Sequence, residues 1–263
     1  MHQSKNTLPS LFTVLSPSLL PLYDISNSIV VIIDVLRATS TIATALFNGA
    51  KEIIPVDSVA ECIKLSKKID VITAGERDGQ IAEGLQYGNT PFAYSREFIQ
   101  NKTLVLTTTN GTRLLHQALK ANALQIITGS FCNLSSVCNH LINEKKDVIL
   151  ACAAWKNKVN IEDTLFAGAV AGRIENYFAI NCDATQIAMS LYQEGKNDLF
   201  EFMKQKNASH YHRLMGFGVE KDLHYCLTAD NADCLPVYSN GRLISNKYDN
   251  DARRVATIYS SKE

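Results

Sequence analysis

The chain of 263 residues is long enough for one large domain or two small ones, which excludes a small fold held together by disulfides. Its 46% hydrophobic and 20% charged residues are typical of a globular protein and exclude a disordered or low-complexity chain. The 26 basic residues balance the 26 acidic ones, so no overall field attracts the molecule to nucleic acid or to an anionic membrane. We therefore expect neither as a partner.

The apolar stretches are too short to cross a bilayer. The longest, 29–33 and 148–155, fall far short of the roughly 18 residues that a membrane span needs. Residues 8–22 are apolar but interrupted by prolines, and they predict an arm or an edge strand rather than a signal peptide. The 7 cysteines include no Cys-x-x-Cys pair, which suits a reducing compartment. These features predict a cytoplasmic protein.

Short apolar runs rich in β-branched residues alternate along the chain with segments of helical period. This alternation predicts an α/β fold with a mixed, largely parallel sheet covered by helices. Strands are predicted at 28–36, 53–56, 71–74, 103–106, 125–128 and 147–153. Helices are predicted at 40–47, 58–68 and 134–143, and a further helix is predicted to follow Gly111 and to run through Lys120. Thr39 and Ser40 stand where the first of these helices needs an N-cap.

The pattern changes after residue 155. Small residues at 167, 168, 171 and 172 predict a closely packed helix, and polar helices follow from 183 to about 215. Short strands are predicted near 235–238, 243–245 and 255–259. We therefore expect two packed α/β subdomains, residues 1–158 and 159–263, that share a cleft.

The first candidate site is the loop after the strand at 28–36, because ligands of such sheets bind outside the carboxyl ends of the strands. Asp34 and Arg37 stand at the strand end, and Thr39, Ser40 and Thr41 stand at the helix start. Free N–H groups at a helix start attract phosphate or sulfonate, and a guanidinium fork binds two of its oxygens. A surface ion pair between Asp34 and Arg37, with an ordinary helix cap, is the alternative.

A second oxyanion site is predicted at residues 107–113, where three threonines, Asn110, Gly111, Thr112 and Arg113 join a strand to a helix. Gly111 has no Cβ, so backbone N–H groups there can approach a ligand closely. A threonine-rich helix cap is the alternative. No Gly-Lys-Ser or Gly-Lys-Thr follows, so a Walker loop for nucleotides is not supported.

Four acidic residues are candidates for a magnesium site. Glu76 follows a predicted strand, and Glu162 and Asp163 lie near the start of a helix. Together with Asp34 they can meet at one cleft, and carboxylate oxygens with retained waters are the ligands that Mg²⁺ requires. There are two alternatives. Residues 75–79 can form a solvated turn, and the acids at 162–163 can compensate the helix dipole.

Other chemistries have less support. His210 and His212 face the same way only in an extended segment, which disfavours a zinc pair. Nothing near Cys152 lowers the pKa of its thiol, and no Gly-x-Ser-x-Gly occurs. A phosphatase with an aspartyl nucleophile would need an acid where Leu36 stands, so Asp34 is a better metal ligand than nucleophile.

Six segments in order over residues 29–175 carry a family resemblance: DVLRATST (34–41), AGER (74–77), GNTP (88–91), TTTNGTR (107–113), GSF with Asn133 (129–133), and ED leading to AG (162–168). In them the chain resembles the 2-phosphosulfolactate phosphatase (ComB) family. The C-terminal third resembles it more loosely, at 212–214, Gly218, Asp222 and 235–236. Thr90 replaces a usual Ser and Ala154 a common Gly, and neither change removes a charge.

The resemblance implies a Mg²⁺-dependent hydrolase that converts 2-phospho-3-sulfolactate to 3-sulfolactate and phosphate, a step in coenzyme M biosynthesis. The expected catalytic residues are Asp34, Arg37, Glu76 and Asp163. The expected metal ligands are Asp34, Glu76, Glu162 and Asp163. The expected substrate-binding residues are Thr39, Ser40, Thr41, Asn89, Thr109, Asn110, Gly111, Thr112, Arg113 and Ser130.

Two other functions fit the same residues. One is a non-catalytic module that binds a phosphorylated or sulfonated metabolite without Mg²⁺-dependent phosphate release. The other is a phosphatase of the same family that acts on a different small phosphoester. Arginine and backbone N–H donors bind carboxylate and sulfonate in similar ways, so the residues do not distinguish these substrates. A homo-oligomer is also left open, because the apolar N-terminal arm can cover a sheet edge or reach a second subunit.

Overall fold

The computed structural model describes residues 8–77, 80–108 and 111–246, and it confirms the α/β fold. Within these residues the strands are β1 (Leu11–Val14), β2 (Ser28–Ile33), β3 (Glu52–Pro55), β4 (Ile72–Arg77), β5 (Gln80–Ile81), β6 (Thr103–Thr107), β7 (Gln125–Gly129), β8 (Asp147–Cys152), β9 (Pro236–Ser239) and β10 (Arg242–Ser245). The helices are α1 (Ala38–Phe47), α2 (Val59–Ser66), α3 (Arg96–Ile99), α4 (Gly111–Lys120), α5 (Leu134–Glu144), α6 (Ile161–Ile174), α7 (Asp183–Gly195), α8 (Leu199–Gln205), α9 (Ser209–Met215) and α10 (Glu220–Leu227).

The described strands form one sheet in the order β1-β8-β2-β7-β9-β10-β3-β6-β4-β5. Two parallel blocks, β1-β8-β2-β7 and β3-β6-β4, flank the antiparallel hairpin of β9 and β10. This hairpin pairs antiparallel with β7 on one side and with β3 on the other, so the two blocks have opposite directions along the sheet. The C-terminal part of the chain thus completes the middle of the sheet. The division at residue 158 stays a prediction.

Strand β2 is the centre of the core. All six of its residues are buried, and alternate side chains enter two different apolar clusters. Ile29, Val31 and Ile33 join the cluster that includes residues of α5 and α6, whereas Val30 and Ile32 join the cluster that includes residues of α4. Because both faces of β2 are covered by helices, its sequence is a continuous apolar run rather than an alternating one.

Most predicted elements are confirmed within a few residues. The edge strand is also confirmed, since β1 lies at one end of the sheet and, among the described strands, pairs with β8 alone. The predicted N-cap is wrong: α1 begins at Ala38, and Thr39 and Ser40 lie inside its first turn. Helix α10 was not predicted, and the strand predicted at 255–259 lies outside the described residues. In the described part of the chain, no helix combines the length and apolar character that a membrane crossing requires.

Gly168 lets α6 pack directly on α7, as the small residues predicted. A Cβ at position 168 would lie well inside van der Waals contact of the Ala188 carbonyl oxygen. We expect Gly168→Ala to lower the free energy of unfolding by about 1–3 kcal/mol, because α7 must shift. In Gly172→Ala, the new methyl group meets only the Gln193 side chain, at 4.0 Å. That control should gain about 0.5–1 kcal/mol from helix propensity. Chemical unfolding measures the free energy of unfolding of both variants. A Gly168→Ala protein as stable as the unmodified one would contradict the close packing of α6 on α7.

Candidate active site

Asp34 lies at the carboxyl end of β2, and two helix starts meet it there. The backbone N–H of Ala38, the first residue of α1, donates to its carboxylate. A Cβ on Gly111, the first residue of α4, would be 3.9 Å from Asp34 Oδ2. The segment after β6 thus lies beside the end of β2, although β6 and β2 are not neighbours in the sheet. The structure therefore joins the two loops that the sequence singled out.

Three further acids surround Asp34. Burial raises the pKa of Asp34 to about 7, the charge of His210 opposes this rise, and the charges of Glu76 and Glu162 add to it. Asp163 belongs to the same group, since burial and the charges of Glu162 and Asp34 raise its pKa well above the usual range. The four predicted acids thus lie together, in a region whose negative charge calls for a cation. We refer to Asp34, Glu76, Glu162 and Asp163 as the acid cluster.

Asp163 uses both carboxylate oxygens to connect the ends of two strands. Its Oδ1 accepts a hydrogen bond of 2.9 Å from the N–H of Val35, just after β2. Its Oδ2 accepts one of 3.2 Å from the N–H of Ala154, just after β8. Asp163 is 1% exposed, so these bonds satisfy a carboxylate that water does not reach. This arrangement suits Asp163 to holding the loops in place.

Glu162 has a buried carboxylate oxygen without a hydrogen-bond partner. Its Oε1 pairs with Nδ1 of His210, which comes from α9. Its Oε2 is buried and has no hydrogen-bond partner. A buried carboxylate oxygen without a donor is costly, and a bound cation would remove that cost.

The alternative of a zinc pair at His210 and His212 is wrong. The segment is helical rather than extended, so His210 points inward to Glu162 while His212 is exposed. Cys152 is fully buried, and burial raises the pKa of its thiol well above the usual range. It is therefore unsuited to act as a nucleophile, as expected from the sequence.

The donor set of the acid cluster fits Mg²⁺. No ready-made group of three His, Cys, Asp or Glu side chains occurs in residues 8–77, 80–108 and 111–246. Mg²⁺ does not need one, because it keeps several waters and is commonly held by one or two carboxylates together with substrate phosphate oxygens. The unpartnered Oε2 of Glu162 and the half-buried carboxylate of Asp34 meet that requirement.

Arg37 is held by a carboxylate from a distant helix. It forms an ion pair with Asp222 of α10, and the two side chains are only 6% and 8% exposed. Thr90 Oγ1 donates a hydrogen bond of 2.9 Å to the other oxygen of Asp222. Arg37 also lines a cavity of about 890 Å³ with Asn89, Thr90 and Phe92. The pairing of Asp222 with Arg37 could not be predicted from local sequence, because 185 positions separate the two residues.

Several predicted substrate-binding hydroxyls are engaged within the protein. Ser40 donates to the carbonyl oxygen of Val35 at 2.8 Å, and Thr41 donates to that of Asn89 at 3.0 Å. Thr39 Oγ1 accepts a hydrogen bond of 3.2 Å from the N–H of Asp34. These bonds hold the strand end against the first turn of α1. They stabilise the loop that carries Asp34 and Arg37.

The remaining predicted substrate residues differ in setting. Thr112 donates to the Thr108 carbonyl oxygen at 3.2 Å, and the backbone N–H of Ser130 donates to Asn133 Oδ1 at 2.9 Å. Asn89 has a buried Oδ1 without a partner, in the wall of the cavity beside Arg37. Arg113 is exposed and donates to Asn157 Oδ1 at 2.7 Å. Thr109 and Asn110 lie outside the described residues.

Known proteins resemble the chain over most of its length. Residues 14–241 match the sequence model of a family described as 2-phosphosulpholactate phosphatase. A protein of Caldanaerobacter subterraneus subsp. tengcongensis named "Probable 2-phosphosulfolactate phosphatase" is 40% identical over 222 residues, 83% of this chain and 90% of that protein. A Thermotoga petrophila protein of the same name is 40% identical over 218 residues, 83% of this chain and 92% of that protein. The matched range contains the acid cluster, Arg37 and Asp222.

Proposed function

Because the chain belongs to the 2-phosphosulfolactate phosphatase family, we propose that it is a Mg²⁺-dependent phosphatase of 2-phospho-3-sulfolactate. The products are 3-sulfolactate and phosphate. The observation that carries this proposal is the acid cluster around Asp34, with the buried and unpartnered Glu162 oxygen, at the starts of α1, α4 and α6. Carboxylates there suit a divalent cation, and helix starts suit phosphoryl oxygens.

In this proposal, Asp34 and Glu162 hold Mg²⁺ together with substrate oxygens, and Glu76 adds negative charge beside them. Asp163 keeps the ends of β2 and β8 in place. Mg²⁺, when bound, neutralises charge on the phosphoryl oxygens and makes a bound water more acidic. Arg37 and the N–H groups at the start of α4 hold the oxyanions, as the sequence predicted. A carboxylate of the cluster orients the attacking water. Catalysis then rests on positioning and electrostatics.

The cellular setting belongs to the same proposal. The cysteines Cys62, Cys132, Cys138, Cys152, Cys182, Cys226 and Cys234 are free thiols, which supports a reducing compartment such as the cytoplasm. The family's reaction supplies a sulfonated hydroxy acid, and coenzyme M biosynthesis is the pathway that we propose for it.

We expect purified protein to release inorganic phosphate from 2-phospho-3-sulfolactate in the presence of Mg²⁺. This release should stop when EDTA removes the metal. A colorimetric phosphate assay over a panel of small phosphoesters measures this. Binding of the substrate without Mg²⁺-dependent release would instead establish the non-catalytic module.

A second candidate is a family phosphatase for a larger phosphoester. The cavity beside Arg37, of about 890 Å³, is roomy for a three-carbon substrate, and Phe92 and Phe217 give it an apolar wall. In the same panel, this candidate predicts faster release from phosphoesters with an apolar tail than from 2-phospho-3-sulfolactate.

A further inference from the structure

Trp155 is the only tryptophan of the chain, and two cationic side chains lie over its ring. The guanidinium carbon of Arg213 lies 4.2 Å from the ring centroid, and the Lys156 ammonium lies 4.6 Å from it. Contacts of this kind hold a cation over an aromatic face while leaving its N–H groups free to donate. Trp155 therefore fixes the position of the Arg213 guanidinium.

Arg213 has a donor without an acceptor. Its Nη1 is buried and makes no hydrogen bond. Among the described residues, no carboxylate forms an ion pair with Arg213, Lys156 or Arg113. Arg113 nevertheless reaches the same turn through its bond to Asn157. A buried guanidinium nitrogen without an acceptor is costly, and an anion is the ligand that would satisfy it.

This cationic group adjoins the acid cluster by two connections. Arg213 and His210 are three residues apart on α9, so they share a face of the helix, and His210 pairs with Glu162. Trp155 follows Ala154, whose N–H donates to Asp163. The site therefore has one unsatisfied acceptor, Glu162 Oε2, which a cation would satisfy, and one unsatisfied donor on the adjoining helix, Arg213 Nη1, which an anion would satisfy.

We propose that Arg213, stacked on Trp155, binds a second anionic group of the substrate, a sulfonate or a carboxylate, while the phosphoryl group lies at the acid cluster. This inference rests on the proposed phosphatase function. Lys156 and Arg113 add attraction for the same group. Arg213 then distinguishes phosphoesters that carry a second strong anion from phosphoesters that lack one.

The subsite can be tested without turnover, because Trp155 is its own fluorescent reporter. We expect 3-sulfolactate to change tryptophan emission in a saturable way. Arg213→Gln should weaken that binding by about ten- to a hundredfold, as expected for a lost charge-assisted hydrogen bond, and Arg213→Lys should weaken it less. Lactate carries the carboxylate alone and isethionate the sulfonate alone, so the tighter of the two identifies the group that Arg213 binds.

Lys102→Gln is the matched control. It removes a cation 4.7 Å from the Phe98 ring, away from the acid cluster, and should bind 3-sulfolactate like the unmodified protein. Circular dichroism confirms that each variant folds. Unchanged affinity in Arg213→Gln, or no saturable binding of any of the three probes by the unmodified protein, overturns the subsite.

Turnover gives a second measurement. Arg213→Gln should raise KM for 2-phospho-3-sulfolactate more than it lowers kcat, and equal loss with phenyl phosphate would argue for a purely structural role. Failure of the unmodified protein to release phosphate would overturn the proposed function instead, and the fluorescence titration would still decide the subsite.

Discussion

We expect the Asp34→Asn variant to lose Mg²⁺-dependent phosphate release and, without metal, to be more stable than the unmodified protein. The amide keeps the shape of the side chain but removes a poorly solvated negative charge beside Glu76 and Glu162. Loss of a metal ligand and of transition-state stabilisation should lower kcat by about 10²-fold or more. Removal of a poorly solvated negative charge beside other acids should raise the free energy of unfolding by about 1–3 kcal/mol.

The gain in stability depends on pH in a defined direction. Burial raises the pKa of Asp34 from 3.8 to about 7, so between these values the folded protein holds a proton that the unfolded chain has released. The free energy of unfolding of the unmodified protein therefore falls as pH rises through this window. The difference in free energy of unfolding between Asp34→Asn and the unmodified protein should be near zero at about pH 3.8. It should grow as pH rises toward about 7 and reach its full size above that pH.

Thermal unfolding of both proteins across that window, with EDTA and with excess Mg²⁺, measures the effect. Mg²⁺ should stabilise the unmodified protein and leave Asp34→Asn unchanged, since a ligand stabilises only the state that binds it. Asp24→Asn is the control, because Asp24 is an exposed carboxylate whose pKa is lowered by hydrogen bonds from Ser26. Normal metal-dependent release by Asp34→Asn, or lower stability without metal at neutral pH, would remove Asp34 from the metal site.

The second large effect is expected at Asp222. Asp222→Ala leaves the buried Arg37 cation without its carboxylate and Thr90 without its acceptor. Breaking a buried ion pair on one side typically costs about 3–5 kcal/mol of stability, and we expect a loss of that size with a loss of phosphate release. Glu194→Ala breaks the exposed pair with Lys206 and should cost less than about 1 kcal/mol. Urea unfolding compares the two.

A double variant separates stability from catalysis. Arg37→Met with Asp222→Leu replaces both charges by apolar groups, which should recover most of the lost stability without restoring phosphate release. A stable and active double variant would show that Arg37 holds no oxyanion. An Asp222→Ala protein as stable as the unmodified one would show that the pair contributes nothing to the fold.

Local sequence pattern was sufficient for most of the strands and helices and for proposing several of the acids. The apolar run at 28–33 is long and β-branched because both faces of β2 are buried, and this is visible without knowing its neighbours. Asp34 and Glu76 could be proposed because they lie at strand ends, where ligands of such sheets bind. The positions of Thr39 and Ser40 were predicted less well, since an N-cap and a first-turn hydroxyl have the same residue types.

The partners of these residues were decided by tertiary structure. The β9–β10 hairpin enters the middle of the sheet, Asp222 pairs with Arg37, and His210 and Arg213 of α9 come to the acid cluster and to Trp155. Periodicity reports how each segment faces its immediate neighbours, so it determined which stretches became strands and helices. Strand order and twist determine which distant side chains meet, and no short window of the chain contains that information.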